Sequence, residues 1–333
     1  MKYKDKISVV IPHHLSNLDF INEWFREFVN EEIKLIIVED KPERQTTIPD
    51  WVKYKNTAIY SHKEIDAELG VNSWIIPRGT SAIRSFGLYK AWKEESDIII
   101  TIDNDCYPDR NKNYFIKGHL KALNSNATLG WVDSTPKGFL EKGTMPRGYP
   151  YNIRESNPIG LNHGLWSRVP DYDAACMLLH PKYRTKPVSS NISLVMAQHN
   201  FYPMCGMNIA FKHKVAPLMY FGLFGKEYGF DHFDDIWCGI FSKKIMDHIG
   251  YAVRSGYPSI EHRKQSNAFV NFQKQAGGIG WNECIWKAAQ EVKLSDETDV
   301  KILYKELIEK IKFPDNDYFK KVKKATLLWL ELF

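Results

Sequence analysis

The sequence predicts an α/β fold: a Rossmann-like, mostly parallel sheet flanked by helices, with C-terminal helices beyond it. Three observations carry this. The apolar run Ile7 to Ile11 is followed by a stretch of helical periodicity and a second apolar run, Ile33 to Val38, which is the spacing of a parallel strand–helix–strand crossover. The run Asp97 to Ile102, DIIITI, is the most strand-like in the chain and follows an amphipathic segment, Ser81 to Lys93. The last stretch of the chain has apolar residues at helical spacing and no strand-like run.

In order, Ile7 to Ile11 reads ISVVI and is closed by Pro12, the pattern of a short buried strand. Ser16 or Asn17 is placed to cap a helix carrying Leu18, Ile21, Phe25 and Phe28. Ile33 to Val38 ends in Glu39-Asp40, at the sheet edge where loops of parallel folds bind ligands. The helix over Ser81 to Lys93 sets Ala82, Phe86, Tyr89 and Trp92 on one side, and the strand after it runs into Asp103-Asn104-Asp105. From there to about residue 215 the pattern loosens into Gly, Pro, Asn and aromatic residues, which suits binding loops. Phe233 to Gly250 is helical, Gly277-Gly278-Ile279-Gly280 reads as a loop, Asp299 to Lys312 spaces Leu303, Leu307 and Ile311 by four, and Asp317 to Phe333 forms a last helix. The expected organisation is one domain over 1–290 with a helical extension, 291–333, packed on it.

Composition narrows the function classes. With 333 residues, 44% hydrophobic and 26% charged, the chain is long enough for a sizeable core and unlike a disordered one. No apolar run approaches the roughly 18 residues of a membrane span. The N-terminus, Met1 to Lys6, leads straight into a strand without an apolar signal region, so a cytoplasmic address is expected. A net charge of +5 with scattered basic residues gives no support to nucleic-acid binding. The five cysteines form no C-x-x-C pair, and reduced thiols are expected.

Several residues could carry chemistry. Asp103 and Asp105 at the mouth of a parallel sheet can share a divalent cation that neutralises a diphosphate, or can serve a turn and cap. His262, in GYPSIEH, can add an imidazole ligand or act as a plain hydrogen-bonding partner. Asp234-Asp235 can be a catalytic or hydroxyl-binding pair, or can cap the helix they precede. Arg147 and Arg154, in PRGYPYNIRES, suit phosphate recognition but are also ordinary surface residues. Cys205 is a nucleophile or an inert buried thiol. Dinucleotide, P-loop, zinc-protease and α/β-hydrolase signatures are absent.

Taken together, VVIP (Val9 to Pro12), NLDF (Asn17 to Phe20), LIIVED (Leu35 to Asp40), TIDNDC (Thr101 to Cys106), RGYPYNIRE (Arg147 to Glu155), HGLW (His163 to Trp166), PDYDA (Pro170 to Ala174), FYPMCGMNIAF (Phe201 to Phe211), FDDIW (Phe233 to Trp237) and SNAFVNF (Ser266 to Phe272) resemble the reversibly glycosylated polypeptides of plants, a family that includes the UDP-arabinopyranose mutases. The matching stretches keep the family's order over about residues 7 to 285. The resemblance implies a GT-A-like glycosyltransferase fold, a nucleotide-sugar substrate (a UDP-sugar), a requirement for Mn²⁺ or Mg²⁺, and no flavin. It implies nucleotide-sugar contacts at Pro12, Asp40, Arg84, Asp103 and His163, metal ligation by Asp103 and Asp105, and catalysis at Arg147 and Arg154 with Asp234 and Asp235. Arg147 takes the position of an arginine that family members glycosylate on themselves. Asn104 departs from the middle acidic residue of the plant run, Glu39 from a glutamine, and Arg78 to Arg84 matches only at Ser81, Ala82 and Arg84.

Three readings follow: a flavin-independent pyranose/furanose mutase of a UDP-sugar, a metal-dependent glycosyltransferase with a separate acceptor, and a non-catalytic nucleotide-sugar-binding scaffold. A homo-oligomer or an assembly with related subunits is the expected macromolecular partnership.

Overall fold

Seven consecutive buried residues, Ile7–His13, form β1, and its parallel neighbours β2 (Ile33–Glu39), β3 (Thr57–Tyr60) and β4 (Ile98–Ile102) complete the N-terminal half of the sheet in the order β3–β2–β1–β4. This computed structural model describes residues 4–30, 32–53, 55–109, 114–135, 139–141, 143–264 and 266–333; Met1, where the N-terminal reading begins, lies outside them. Further along come β5 (Cys106–Pro108), β6 (Asn126–Ala127), β7 (Asn157–Arg168), β8 (Ser193–Val195), β9 (Asn208–Lys212) and β10 (Ala252–His262). They extend the sheet as β4–β9–β7–β10–β5, with β6 on β7 and β8 on β10. The parallel half and the parallel pair β7–β10 match the expected class, whereas β9 runs antiparallel to both β4 and β7.

The helices are α1 (Phe25–Phe28), α2 (Asp50–Lys53), α3 (His62–Leu69), α4 (Arg84–Lys93), α5 (Phe115–Leu123), α6 (Ala174–Leu179), α7 (Asp234–His248), α8 (Ala268–Glu291), α9 (Val300–Lys310) and α10 (Asp317–Leu330). They cover both sheet faces. The two-residue period of β1 sends Val10 into one core, with residues of α4, α7, α9 and α10, and Val9 and Ile11 into the other, with Trp24, Phe28 and Phe115. Gly87 lets α4 approach closely, since a Cβ there would lie 2.5 Å from Val10 Cγ1 and 2.8 Å from Val38 Cγ2. Leu303, Leu307 and Trp329 are fully buried in the first core, and Trp329 Nε1 donates to the Pro217 carbonyl at 2.8 Å.

Three sequence expectations change. The helix after Asn17 is a 3₁₀ stretch, Asp19–Trp24, ending in the single turn α1, and Leu18 occupies its N-cap without a side-chain bond. The run Gly277 to Gly280 is not a loop but the middle of α8. Close packing explains the glycines: a Cβ on Gly278 would sit 2.4 Å from the Phe233 ring and one on Gly277 3.3 Å from the Gly229 carbonyl. The loosened region contains α5, β7 and β9 between its loops. β7 reads poorly as a strand because Pro158, Gly160, Asn162, His163 and Gly164 interrupt its apolar pattern.

Candidate active site

The carboxyl ends of β1, β2 and β4 open into a cleft of two joined compartments. One, of about 530 Å³, is lined by Pro12, His13, His14, Asp40, Gly79 and Asn104 among others. The other, of about 720 Å³, is lined by Trp166, Asp171, Tyr172, Cys205, Asp234 and Asp235 among others. Ser81, Asp103, Asp105, His232, Lys264, Ser266 and Asn271 border both. The topology explains this placement, because parallel strands deliver their following loops to one edge and Asp103 is the first residue after β4. On the first side, Asp40 accepts from the Gly79 amide at 2.7 Å and pairs with His62 Nε2 at 2.8 Å.

Arg84 is 1% exposed, and its guanidinium is committed to protein groups. Nε donates to the Ser81 carbonyl at 3.0 Å, Nη1 to the Gly206 carbonyl at 2.6 Å and Thr101 Oγ1 at 3.2 Å, and Nη2 pairs with Asp103. The Gly206 amide in turn donates to Asp235 Oδ2 at 2.7 Å, so the two peptide groups flanking the Gly206 Cα are held by a cation on one side and an anion on the other. Arg84 thus orients Asp103 and the 205–207 loop while itself lining the second compartment. Asp234 Oδ2 accepts from Ser81 Oγ at 3.0 Å. Neither carboxylate makes a side-chain cap of α7, whose N-cap is Phe233, although Asp235 Oδ1 does accept from the next amide, Ile236, at 2.9 Å. Capping thus fails to account for the pair. Burial, with Asp231 nearby, pushes the Asp234 pKa up to about 7, and burial with Asp234 beside it raises that of Asp235 well above the carboxylate range. Such groups can hold or release a proton near neutral pH.

Burial and the charge of Asp105 also raise the Asp103 pKa, against the opposing pull of Arg84. His262 Nδ1 lies 3.0 Å from the Val169 carbonyl and so donates to it, which turns Nε2 toward Asp105 Oδ2 at 3.8 Å. An imidazole fixed through Nδ1–H with Nε2 facing a carboxylate is the orientation of a metal-ligating histidine. Two carboxylates and one imidazole fit the donor preferences of Mn²⁺ and Mg²⁺. Among the described residues, no group of three His, Cys, Asp or Glu is drawn together at metal-ligand spacing.

Three expected site residues stand elsewhere. His163 is 3% exposed and lines neither compartment. Its Nε2 accepts from the Cys205 amide at 3.1 Å and its Nδ1 lies 2.9 Å from Ser255 Oγ, so both nitrogens are used in holding the 205 loop from behind. Burial lowers its pKa to about 4. His163 thus supports the 205 loop from behind. Arg147 is exposed and lines neither compartment. Arg154 stacks on Tyr151 at 4.2 Å and donates to the Tyr149 carbonyl at 3.1 Å, bracing its own loop outside the cleft. Cys205 does face the second compartment, but burial pushes its pKa well up, so it stands there as a neutral thiol.

The structure also contributes residues that sequence reasoning passed over: His232, Lys264 and Gln275 all line the cleft. His232 and Lys264 adjoin the recognised segments FDDIW and GYPSIEH, and this adjacency was the available signal.

Fold and site together define an α/β protein with an acidic, two-compartment cleft at the carboxyl edge of its parallel strands. The chain belongs to the reversibly glycosylated polypeptide family, whose model matches residues 2–333. It is 36% identical over 338 residues to the probable UDP-arabinopyranose mutase 1 of Pisum sativum, covering 98% of this chain and 90% of that one. It is 34% identical over 337 residues to UDP-arabinopyranose mutase 1 of Arabidopsis thaliana, covering 98% and 92%. Among solved structures, glucosyl-3-phosphoglycerate synthase from Mycobacterium tuberculosis aligns over 94% of this chain and 82% of that one at 13% identity, with a TM-score of 0.44. No helix among the described residues is long and apolar enough to cross a membrane.

Proposed function

We propose that the protein is a flavin-independent mutase that interconverts the pyranose and furanose forms of a UDP-sugar, UDP-arabinopyranose being the first candidate. The observation that carries the reading is the position of Asp103 and Asp105 where the two compartments meet. A diphosphate joins nucleoside to sugar, so the compartment beside Pro12 and Asp40 takes the nucleoside and the one beside Asp234 and Asp235 takes the sugar. The names of the relatives support the substrate class. In this reading residues 1–290 are catalytic and 291–333 buttress them.

Asp103, Asp105 and His262 would hold a divalent cation, which supplies charge neutralisation to the departing diphosphate. Arg84 fixes the Asp103 carboxylate, and the bonds to the Gly206 carbonyl and amide fix the 205–207 loop beside the sugar compartment. Asp234, with its pKa near neutrality, takes the proton of the free hydroxyl whose oxygen bonds to the anomeric carbon and returns it to the former ring oxygen as that oxygen's bond to the anomeric carbon breaks, after which the diphosphate rejoins the anomeric carbon. A guanidinium is a poor nucleophile at neutral pH, so glycosylation of Arg147 needs a carboxylate base from the cleft. Arg147 also lies outside the cleft, and must be brought to it from the same chain or from a second copy. That same location favours a second reading, a glycosyltransferase whose acceptor enters the sugar compartment.

The test is incubation with a panel of UDP- and GDP-sugars and Mn²⁺ without acceptor, followed by chromatographic separation of the nucleotide-sugars. A new isomer that vanishes with chelator is the expected result. Absence of isomer from every substrate, with turnover restored by an added acceptor, would instead establish the transferase.

A further inference from the structure

His232 sits at the junction of the compartments in an unusual state. Its backbone is left-handed, with φ 68°, a conformation that is unfavourable for a non-glycine residue and persists where surrounding contacts impose it. Those contacts are present. The Asp231 amide donates to the Lys274 carbonyl of α8 at 2.9 Å, and Asp231 Oδ1 accepts from the His232 amide at 2.9 Å and from Thr80 Oγ1 at 3.3 Å. The turn is thus tied to α8 on one side and to the loop before α4 on the other.

The ring is oriented by the same helix. Gln275 Oε1 accepts from the Ala174 amide at 2.8 Å, which fixes the direction of the side-chain amide. Its Nε2 therefore donates to His232 Nδ1, at 3.3 Å. With Nδ1 an acceptor, the neutral imidazole carries its proton on Nε2. Burial, and Lys274, lower the His232 pKa against the opposing pull of Asp231, which favours this neutral form at pH 7. No hydrogen bond from Nε2–H to a described residue is present.

We propose that His232 Nε2–H donates a hydrogen bond to the sugar-bearing phosphate of the substrate, making it a binding residue for the diphosphate. The proposal rests on the nucleotide-sugar reading given above. The carboxylates at the junction repel a diphosphate, so its oxygens need donors from the rest of the shared lining, where His232 and Lys264 stand. Lys264 supplies charge; His232 supplies a directed donor whose position is set by the left-handed turn and whose tautomer is set by Gln275.

The experiment is calorimetric titration of the full chain with UDP and with UMP, in Mn²⁺ at pH 7.5, for wild type, His232→Leu and His232→Gln. Loss of one hydrogen bond to a charged group is expected to weaken UDP binding about tenfold in His232→Leu. UMP binding should stay within about twofold, and His232→Gln, whose amide can still donate, should recover most of the UDP affinity. An unchanged ratio of UDP to UMP affinity in His232→Leu overturns the proposal, including when both affinities fall together, because a misfolded cleft weakens both ligands alike. Wild type that fails to bind UDP with Mn²⁺ overturns the nucleotide-sugar reading itself, and does so before any variant is made.

Discussion

At the scale of the residue, the cleft keeps carboxylates where the fold alone would not choose them. Moving the Asp234 carboxyl from its ordinary value of 3.8 to about 7 costs the ionised folded state on the order of 4 kcal/mol at full effect. Because the folded pKa is the higher one, the folded state binds more protons than the unfolded chain between these values. The contribution to stability is therefore complete below pH 3.8 and is lost as pH rises through about 7. Asp234→Asn keeps an acceptor for Ser81 and removes the charge. In urea unfolding with chelator present, this variant should match wild type near pH 4 and exceed it by about 2 kcal/mol at pH 8. An equal difference at both values would show that Asp234 is not the titrating group. Arg84 carries the opposite dependence, since its removal strands partners instead of relieving them. Arg84→Met should destabilise by about 3 kcal/mol, because the Gly206 and Ser81 carbonyls and Asp103 lose their donor in a closed setting.

At the scale of the element, glycine marks the places where helices meet their supports. Gly87→Ala pushes a methyl into Val10 and Val38 and should cost about 2 kcal/mol in a denaturant titration, as overpacking does. Gly280, mid-helix with open space around its Cα, serves as the control: Gly280→Ala should be neutral or stabilising by up to about 1 kcal/mol. The same residues show what could be read from the sequence. The strands β1, β2 and β4 are apolar on both faces, which makes them legible as continuous runs. The helix α8 was hidden because Gly277 and Gly278 serve packing against Phe230 and Phe233, a tertiary demand that overrides local propensity, and its apolar residues Phe269, Val270, Phe272 and Ile279 are exposed instead of marking a buried face. The same holds for β7, where Gly164 fits between Asn208 and the Pro258 carbonyl, and a Cβ would meet Asn208 Nδ2 at 2.2 Å.

At the scale of the whole molecule, the site joins residues from many distant segments, and the sequence exposes them unevenly. Asp103, Asp105 and Asp234 were legible because each follows or opens a regular element at the binding edge. The role of His163 was not, since a buried histidine satisfied on both nitrogens has the same letter as one that meets a ligand. Arg147 and Arg154 raise the sharper question, because they belong to the chain's family signature yet stand outside the cleft. If the segment carrying them acts in turnover, Arg147→Ala should reduce isomerisation at least 100-fold while the UDP affinity stays within about twofold, as no cleft contact is lost. Full activity in this variant would confine the chemistry to the cleft carboxylates and remove the arginine from the reaction. Where activity does fall, the concentration dependence of wild type identifies the donor of the arginine. Specific activity that is constant on dilution means the segment reaches its own cleft, whereas specific activity that falls on dilution means the arginine arrives from a second copy. Mixing Arg147→Ala with an Asp103→Ala chain separates these again. Only delivery between copies lets two inactive chains restore turnover, since one then retains the arginine and the other the intact cleft.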